Sequence, residues 1–195
     1  MQSDRQTSDK EVKKMIKALV ILADGFEEVE ALTPVDFLRR AGVSVTVAGL
    51  GTEKIMGSHG IRIHCDCALE TVETEGWNAV VLPGGMPGSE NLANSKLVSQ
   101  IIMNTYKAGK LVCAICAAPA VVLGPLGILK DRKAVCYPGM DEYAPDIKFL
   151  SSKVITDGNV ITARGAGCAQ EFAFEIITAL ISREKADDIA FRVIY

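Results

Sequence analysis

The chain has 195 residues, 49% of them hydrophobic and 23% charged, with a formal net charge of −3. This balance excludes a disordered chain and gives no electrostatic footing for nucleic acid or an anionic membrane as partner. The length fits one domain with a substantial core, and residues 1–15 show no secretory leader, so the six cysteines read as free thiols of a cytoplasmic protein.

Residues 1–15, MQSDRQTSDKEVKKM, are expected to form a disordered tail, leaving 16–195 as the folded domain. Lys17 to Ala23 is an apolar run of strand length, stopped by Asp24-Gly25. From about Phe26 to Arg40, Phe26, Val29, Leu32, Val35 and Leu38 recur every three residues, a helical pattern closed by Gly42. Pro34 interrupts it, and Thr33-Pro34-Val35-Asp36 also reads as a capping box with proline at the first helical position. The segment is therefore either kinked or restarts at Thr33. Val43 to Ala48 is strand-like, and Ile61 and Ile63 alternate with Arg62 and His64 in a short two-sided strand. Trp77 to Leu82 is a third buried run. It ends in Pro83-Gly84-Gly85-Met86-Pro87-Gly88, which cannot be regular. Ser95 to Lys107 is a second helix, Lys110 to Ile115 a fourth strand, and Ala117 to Leu123 begins a third helix. Lys153 to Thr156 and Asn159 to Thr162, joined by Asp157-Gly158, form a hairpin. Helices from about Gly167 to Ser182 and from about Glu184 to Arg192 close the chain.

Leu111 to Leu129 carries no charge and has the length of a membrane span. Pro119, Gly124, Pro125 and Gly127 punctuate it, which favours a buried strand running into a buried helix. Strands alternating with helices predict an α/β fold with a mostly parallel sheet covered on both faces. Ligands of such sheets sit beyond the carboxyl ends of the strands, so the loops after Leu22, Leu82 and Ile115 hold the candidate site.

Cys116 lies where a buried strand turns into a helix, as in a nucleophile elbow with cysteine in place of serine. The free N–H groups of a helix start favour a thiolate there, while a buried apolar thiol is the commoner fate of a cysteine. Gly84 and Gly85 let the backbone approach a reacting centre and point N–H groups at it, as an oxyanion hole requires, or simply form a tight turn. Glu27, Glu28 and Glu30 complement the start of a helix. A carboxyl brought beside Cys116 would instead be raised in pKa, stay protonated and donate to sulfur.

The strings ADGFEEVEALTPVDFLRRAG, VLPGGMPGSENL, AICAAP and ITARGAGCAQEFAFEII, in this order and spacing, resemble the ThiJ/PfpI superfamily, and within it the Parkinson-associated DJ-one-type and YajL-like branch. The resemblance runs from about Lys17 to the C-terminus. It implies a flavodoxin-like three-layer sandwich, usually a homodimer, with Val29 near the dimer surface. It also implies a reactive cysteine at Cys116, a protonated glutamate at Glu30, and a pocket lined by Gly84, Gly85 and Ala117. The implied activity is that of a glutathione-independent glyoxalase III or protein deglycase, acting on methylglyoxal-type oxoaldehydes or their adducts without a cofactor or metal. Its rivals are a redox-sensing, chaperone-like protein with Cys116 oxidised to sulfinate, and a hydroxyethylthiazole phosphate biosynthesis protein, for which no phosphate-binding motif is present.

The sequence also departs from that pattern. Ala117 follows the cysteine where protease-like branches have histidine, and Tyr137 stands where the human-type member has its pocket histidine. His59 and His64 both precede Trp77, and each reads as a surface or satisfied core residue. Cys65-Asp66-Cys67 offers two thiols without further metal ligands, and Cys113, Cys136 and Cys168 read as packing residues, with a resolving thiol for Cys116 among them as the alternative.

Overall fold

The computed structural model describes residues 15–195, so the expected tail lies, but for Met15, outside the described residues. The strand at Lys17–Leu22 (β1) leads through a short loop into the helix Glu28–Arg40 (α1). Then come strands Ser44–Gly49 (β2), Lys54–Met56 (β3), Arg62–His64 (β4), Cys67–Ala68 (β5) and Ala79–Leu82 (β6). Helices Gly88–Ala93 (α2) and Lys96–Lys107 (α3) precede strand Leu111–Ile115 (β7), and the hairpin Val154–Asp157 (β8) and Val160–Ala163 (β9) precedes helices Ala169–Leu180 (α4) and Arg183–Arg192 (α5).

Seven strands form one sheet in the order β5-β2-β1-β6-β7-β9-β8, parallel throughout except for the β8–β9 hairpin at the edge. Strands β3 and β4 pair antiparallel as a separate ribbon. Successive residues of the central strands face opposite sides. Ala18, Val20 and Leu22 enter the core beneath α1 and α4, while Leu19 and Ile21 enter the core beneath α3. This double burial is why these strands read as unbroken apolar runs rather than alternating ones. The chain winds outward from β1 to β2 on one side and from β6 to β7 on the other. The carboxyl ends of β1, β6 and β7 therefore border the switch point where ligands sit in open α/β sheets.

Three expectations are corrected. Helix α1 does not restart at Thr33: it continues through Pro34, with Glu27 as its N-cap. The ring leaves the carbonyl of Glu30 without its helical donor, a local loss that the packing of Val35, Phe37 and Leu38 against the sheet outweighs. The glycine-proline loop after Leu82 runs directly into α2, a short helix that the sequence pattern does not announce. The uncharged stretch after Ile115 gives only a five-residue π-helical turn, Pro119–Leu123, closed by a bond from the Gly124 N–H to the Pro119 carbonyl (3.0 Å). Among the described residues no helix is long and apolar enough to cross a membrane.

Candidate functional site

Three loops meet at the carboxyl end of the sheet. Cys116 follows the last residue of β7 and has φ +67, a left-handed backbone that a residue with a side chain seldom adopts. Two main-chain hydrogen bonds hold it there. The Cys116 N–H donates to the Ala163 carbonyl at the end of β9 (2.9 Å), and the Cys116 carbonyl accepts from the Tyr137 N–H (2.7 Å). The thiol is partly exposed.

Glu30 reaches this thiol from the first turn of α1. It is 1% exposed and hydrogen-bonded to Cys116, and its Oε2 accepts from the Gly84 N–H at 2.9 Å. Burial, supplemented by the charge of Glu27, pushes the Glu30 carboxyl up to about 7, against hydrogen bonds from Cys116 and from the N–H groups of Gly84 and Ala166. Burial also pushes the Cys116 thiol up, to about 12, together with the charge and hydrogen bond of Glu30. The N–H groups of Gly85 and Ala117 oppose that rise. A lone thiol at a helix start would be depressed instead. The difference lies in the burial of the sulfur and in the Glu30 carboxylate beside it. The two groups behave as a pair that gives up its first proton near neutrality and its second far above it.

Gly84 is where a side chain cannot stand. A Cβ there would lie 2.5 Å from Cys116 Cβ, 2.6 Å from Glu30 Oε2 and 3.0 Å from Cys116 Sγ. Its N–H is taken by Glu30. The N–H groups of Gly85 and Ala117, by contrast, favour the ionised sulfur. Gly85 has φ +88 and lies against the backbone of Gly25, Phe26 and Glu27, which places the loop after β6 directly on the start of α1.

Glu28, two residues before Glu30, faces the other way. Burial pushes its carboxyl up, but hydrogen bonds from His59 Nδ1 (2.9 Å), the His59 N–H (2.8 Å) and the Ile61 N–H (3.3 Å) prevail and hold it down to about 2. His59, read from sequence as an ordinary surface residue, is raised above its usual value by this hydrogen bond and by the charges of Glu28 and Glu27. The ligand atoms of Glu27, Glu28 and His59 lie within 4.8 Å of one another. Both oxygens of Glu28 and Nδ1 of His59 are engaged with one another and with backbone donors. His64 is distant in role: its Nδ1 meets the Cys65 carbonyl, and Nε2 lies 3.8 Å from Glu53.

All six cysteines are free thiols. Cys113 is fully buried beneath α1 and α4, where burial alone pushes its thiol up. Burial raises Cys65 to about 11, with Asp66 adding, and Asp66 itself pairs with Arg39 (2.8 Å). Cys136 is likewise raised to about 11, by burial and Asp141 against Arg164. Tyr137 packs against Gly165, half exposed, at the edge of an open groove of about 720 Å³ that Arg164 and Lys148 also line.

The DJ-1/PfpI family model matches residues 16–179. The chain is 42% identical over 176 residues to "Protein dj-1beta" of Drosophila melanogaster, covering 89% of this chain and 94% of that one. It is 34% identical over 174 residues to "Glutathione-independent glyoxalase DJR-1.2" of Caenorhabditis elegans, covering 88% and 92%. Among solved structures, "Toxoplasma gondii DJ-1, oxidized" superposes with a TM-score of 0.89 at 37% identity, covering 92% of this chain and 98% of that one. The chain belongs to the DJ-1/PfpI family, and its fold is the flavodoxin-like sandwich of that family.

Proposed function

We propose that this DJ-1/PfpI family member is a cysteine-dependent, glutathione-independent glyoxalase or deglycase, with Cys116 as nucleophile and Glu30 as the group that holds and returns its proton. The observation that carries this reading is the buried Glu30 carboxyl hydrogen-bonded to a partly exposed thiol on a left-handed elbow. A relative carrying a glyoxalase name supports it.

Proton transfer from Sγ to Glu30 gives a thiolate without exporting charge to solvent. The thiolate adds to the aldehyde carbon of a methylglyoxal-type oxoaldehyde, forming a C–S bond and an alkoxide that the Gly85 and Ala117 N–H groups face, which becomes a hemithioacetal on protonation. Glu30 as carboxylate then removes the proton on that carbon and returns one to the neighbouring carbon, while the hydroxyl proton passes to the neighbouring oxygen, leaving a 2-hydroxy thioester. Water cleaves the thioester to lactate and the free thiol. One water is consumed and no external oxidant or reductant is needed. Gly84 contributes space: without a side chain it lets the carboxyl and thiol meet. The same addition applied to the hemithioacetals and aminocarbinols that oxoaldehydes form on thiols and amines is deglycation. Lactate release from methylglyoxal by the wild type and by Cys116→Ser tests the reading: activity lost in the variant supports it, and equal rates in the two sink it.

The second reading, redox sensing, is favoured by the same N–H donors around a partly exposed sulfur, since they would hold sulfinate oxygens as well as an alkoxide. The Toxoplasma gondii relative is named as an oxidised form. Two equivalents of peroxide take the thiolate to sulfinate, with water as the other product. Mass spectrometry after mild peroxide should find two oxygens on the Cys116 peptide first; a reduced Cys116 beside oxidised Cys67 or Cys168 would end this reading. For both readings we place the protein in the cytoplasm as a homodimer. The apolar Val29 and Leu32 of α1 and Ile61 of the hairpin, 50%, 38% and 52% exposed, are the surface we assign to the second copy.

A further inference from the structure

We propose that His59 is a positioning residue for the Cys116–Glu30 pair: its imidazolium, clamped on Glu28 and facing Glu27, fixes the first turn of α1 and sets the field in which Glu30 meets the thiol. The inference rests on the reading of that pair as the reactive centre, and it adds a residue from the turn between β3 and β4.

The contacts form a continuous path. His59 Nδ1 lies 2.9 Å from Glu28 Oε2 and 4.0 Å from Glu27 Oε1. The other oxygen of Glu27 caps α1 by accepting the N–H of Glu30 at 2.7 Å. The Glu27 N–H in turn donates to the Gly84 carbonyl (3.0 Å), and the Gly84 N–H donates to Glu30 Oε2 (2.9 Å). One carboxylate, Glu27, thus stands between the imidazole and the backbone of Glu30. The hairpin turn is held against the same helix start, with the Ser58 N–H on the Phe26 carbonyl (2.7 Å) and the Gly25 N–H on the Met56 carbonyl (2.8 Å).

Charge gives the arrangement its consequence. Facing His59 from α1 are Glu27 and Glu28, and from its own hairpin the Ser58 hydroxyl (3.2 Å); Glu30 and Cys116 lie behind them. Asp24, on the loop before α1, is turned to the Met56 N–H. Among the described residues no other cation pairs with Glu27 or Glu28. Three carboxylates and a thiol at one helix start repel a further negative charge. A cation on Glu27 and Glu28 offsets part of that repulsion and makes the ionised pair easier to form.

The test is the rate of alkylation of Cys116 by iodoacetamide between pH 5.5 and 9, read by mass spectrometry of the Cys116 peptide. It is run on the wild type, His59→Gln, His59→Arg and Glu30→Gln, with urea midpoints as a check on folding. His59→Gln keeps a hydrogen-bond donor and removes the charge. Its midpoint should move up by about half a pH unit, roughly three-fold slower on the rising limb. His59→Arg carries a permanent charge and should restore the wild-type midpoint or lower it. The gap between wild type and His59→Gln should narrow in 1 M salt, because the imidazole is exposed and its field is screened. Identical profiles in all three, or equal slowing of both His59 variants at every pH, would overturn the inference. A wild-type profile unaltered by Glu30→Gln would instead overturn the reading of the pair itself.

Discussion

Replacing Glu30 by glutamine should make the protein more stable at pH 8 and leave it nearly unchanged at pH 5. Glu30 is 1% exposed, and burial is the main reason its carboxyl rises from 4.5 to about 7. Between those two values the native state keeps a proton that the unfolded chain has released. Stability therefore falls as pH rises through the window: the contribution of the neutral carboxyl is complete below the unfolded value and gone above the folded one. A displacement of that size corresponds to about 3 kcal/mol, a large share of the roughly 5–15 kcal/mol that holds a domain together. Glutamine keeps the shape, accepts from the Gly84 N–H and cannot ionise; its imperfect bond to sulfur costs about 1 kcal/mol. The variant should thus lie within about 1 kcal/mol of wild type at pH 5 and about 2 kcal/mol above it at pH 8. Urea unfolding of the reduced proteins at pH 5, 6, 7 and 8 measures this, with equal m-values as the check that the unfolded states match. The His59–Glu28 contact is present in both proteins, so only its coupling to Glu30 enters their difference. A difference between the two proteins that does not change from pH 5 to pH 8 would refute the assignment of this proton to the buried pair.

Gly84→Ala should cost about 1–3 kcal/mol in urea and slow alkylation of Cys116 about tenfold, since the new methyl overlaps both Cys116 Cβ and Glu30 Oε2 and must part them. Glu28→Gln should behave oppositely to Glu30→Gln. The ionised form is favoured from 4.5 down to about 2, so the variant should be about 2–3 kcal/mol less stable at pH 7, a deficit that shrinks as pH falls below 4.5 and closes near 2, as acid–urea titration would show. Arg132 bonds the Asp157 carbonyl (2.8 Å) and the Tyr106 hydroxyl (3.1 Å) and lies 5.5 Å from the Tyr106 ring centroid, so Arg132→Ala should lower the thermal midpoint by about 1–3 kcal/mol equivalent. Arg132→Lys should not restore it, because one ammonium cannot reach both oxygens and cover the ring.

The central sheet was legible because β1, β6 and β7 are buried on both faces and read as uninterrupted apolar runs ending in turn residues. Strand β5 and the first strand of the ribbon were not, because two or three residues leave no period to detect. Pro34 misled in the other direction. Proline is a local signal against an unbroken helix, and it was overridden by the apolar stripe that α1 buries on the sheet and α4. The shortness of the turn after Cys116 was hidden for a related reason: Ala, Val and Leu fit an α-helix and a π-turn alike. At the site, the motif residues Cys116, Glu30, Gly84 and Gly85 could be named from sequence, but their division of labour could not. That Gly84 gives its N–H to Glu30 depends on the backbone path of the glycine loop, which composition does not encode. His59 was passed over because its partner, Glu28, lies 31 positions away.

Glu28 and Glu30 show how little of this chemistry belongs to the glutamate itself. Both are buried, at 4% and 1% exposure, in the same turn of the same helix. Two residues of helix turn a side chain through about 200°, so one faces the β3–β4 hairpin and the other the elbow. The hairpin offers backbone N–H groups and an imidazole, all donors, and the carboxyl there is held ionised at about 2. At the elbow, burial outweighs the hydrogen bonds from the thiol and the Gly84 N–H, and with the charge of Glu27 nearby the carboxyl keeps its proton to about 7. Helix α1 thus sets an obligate anion and a neutral-range proton carrier back to back, and each requires the other's place to be filled. The anion at Glu28 anchors the hairpin and retains the His59 cation, and that cation offsets the charge of Glu27, which otherwise adds to the proton affinity of Glu30. Exchanging the surroundings of the two would leave a charge buried on one side and a neutral acid wasting donors on the other. The string Glu27-Glu28-Val29-Glu30 is therefore a set of distinct groups whose order along the chain is fixed by the helix period, not a patch of interchangeable acids.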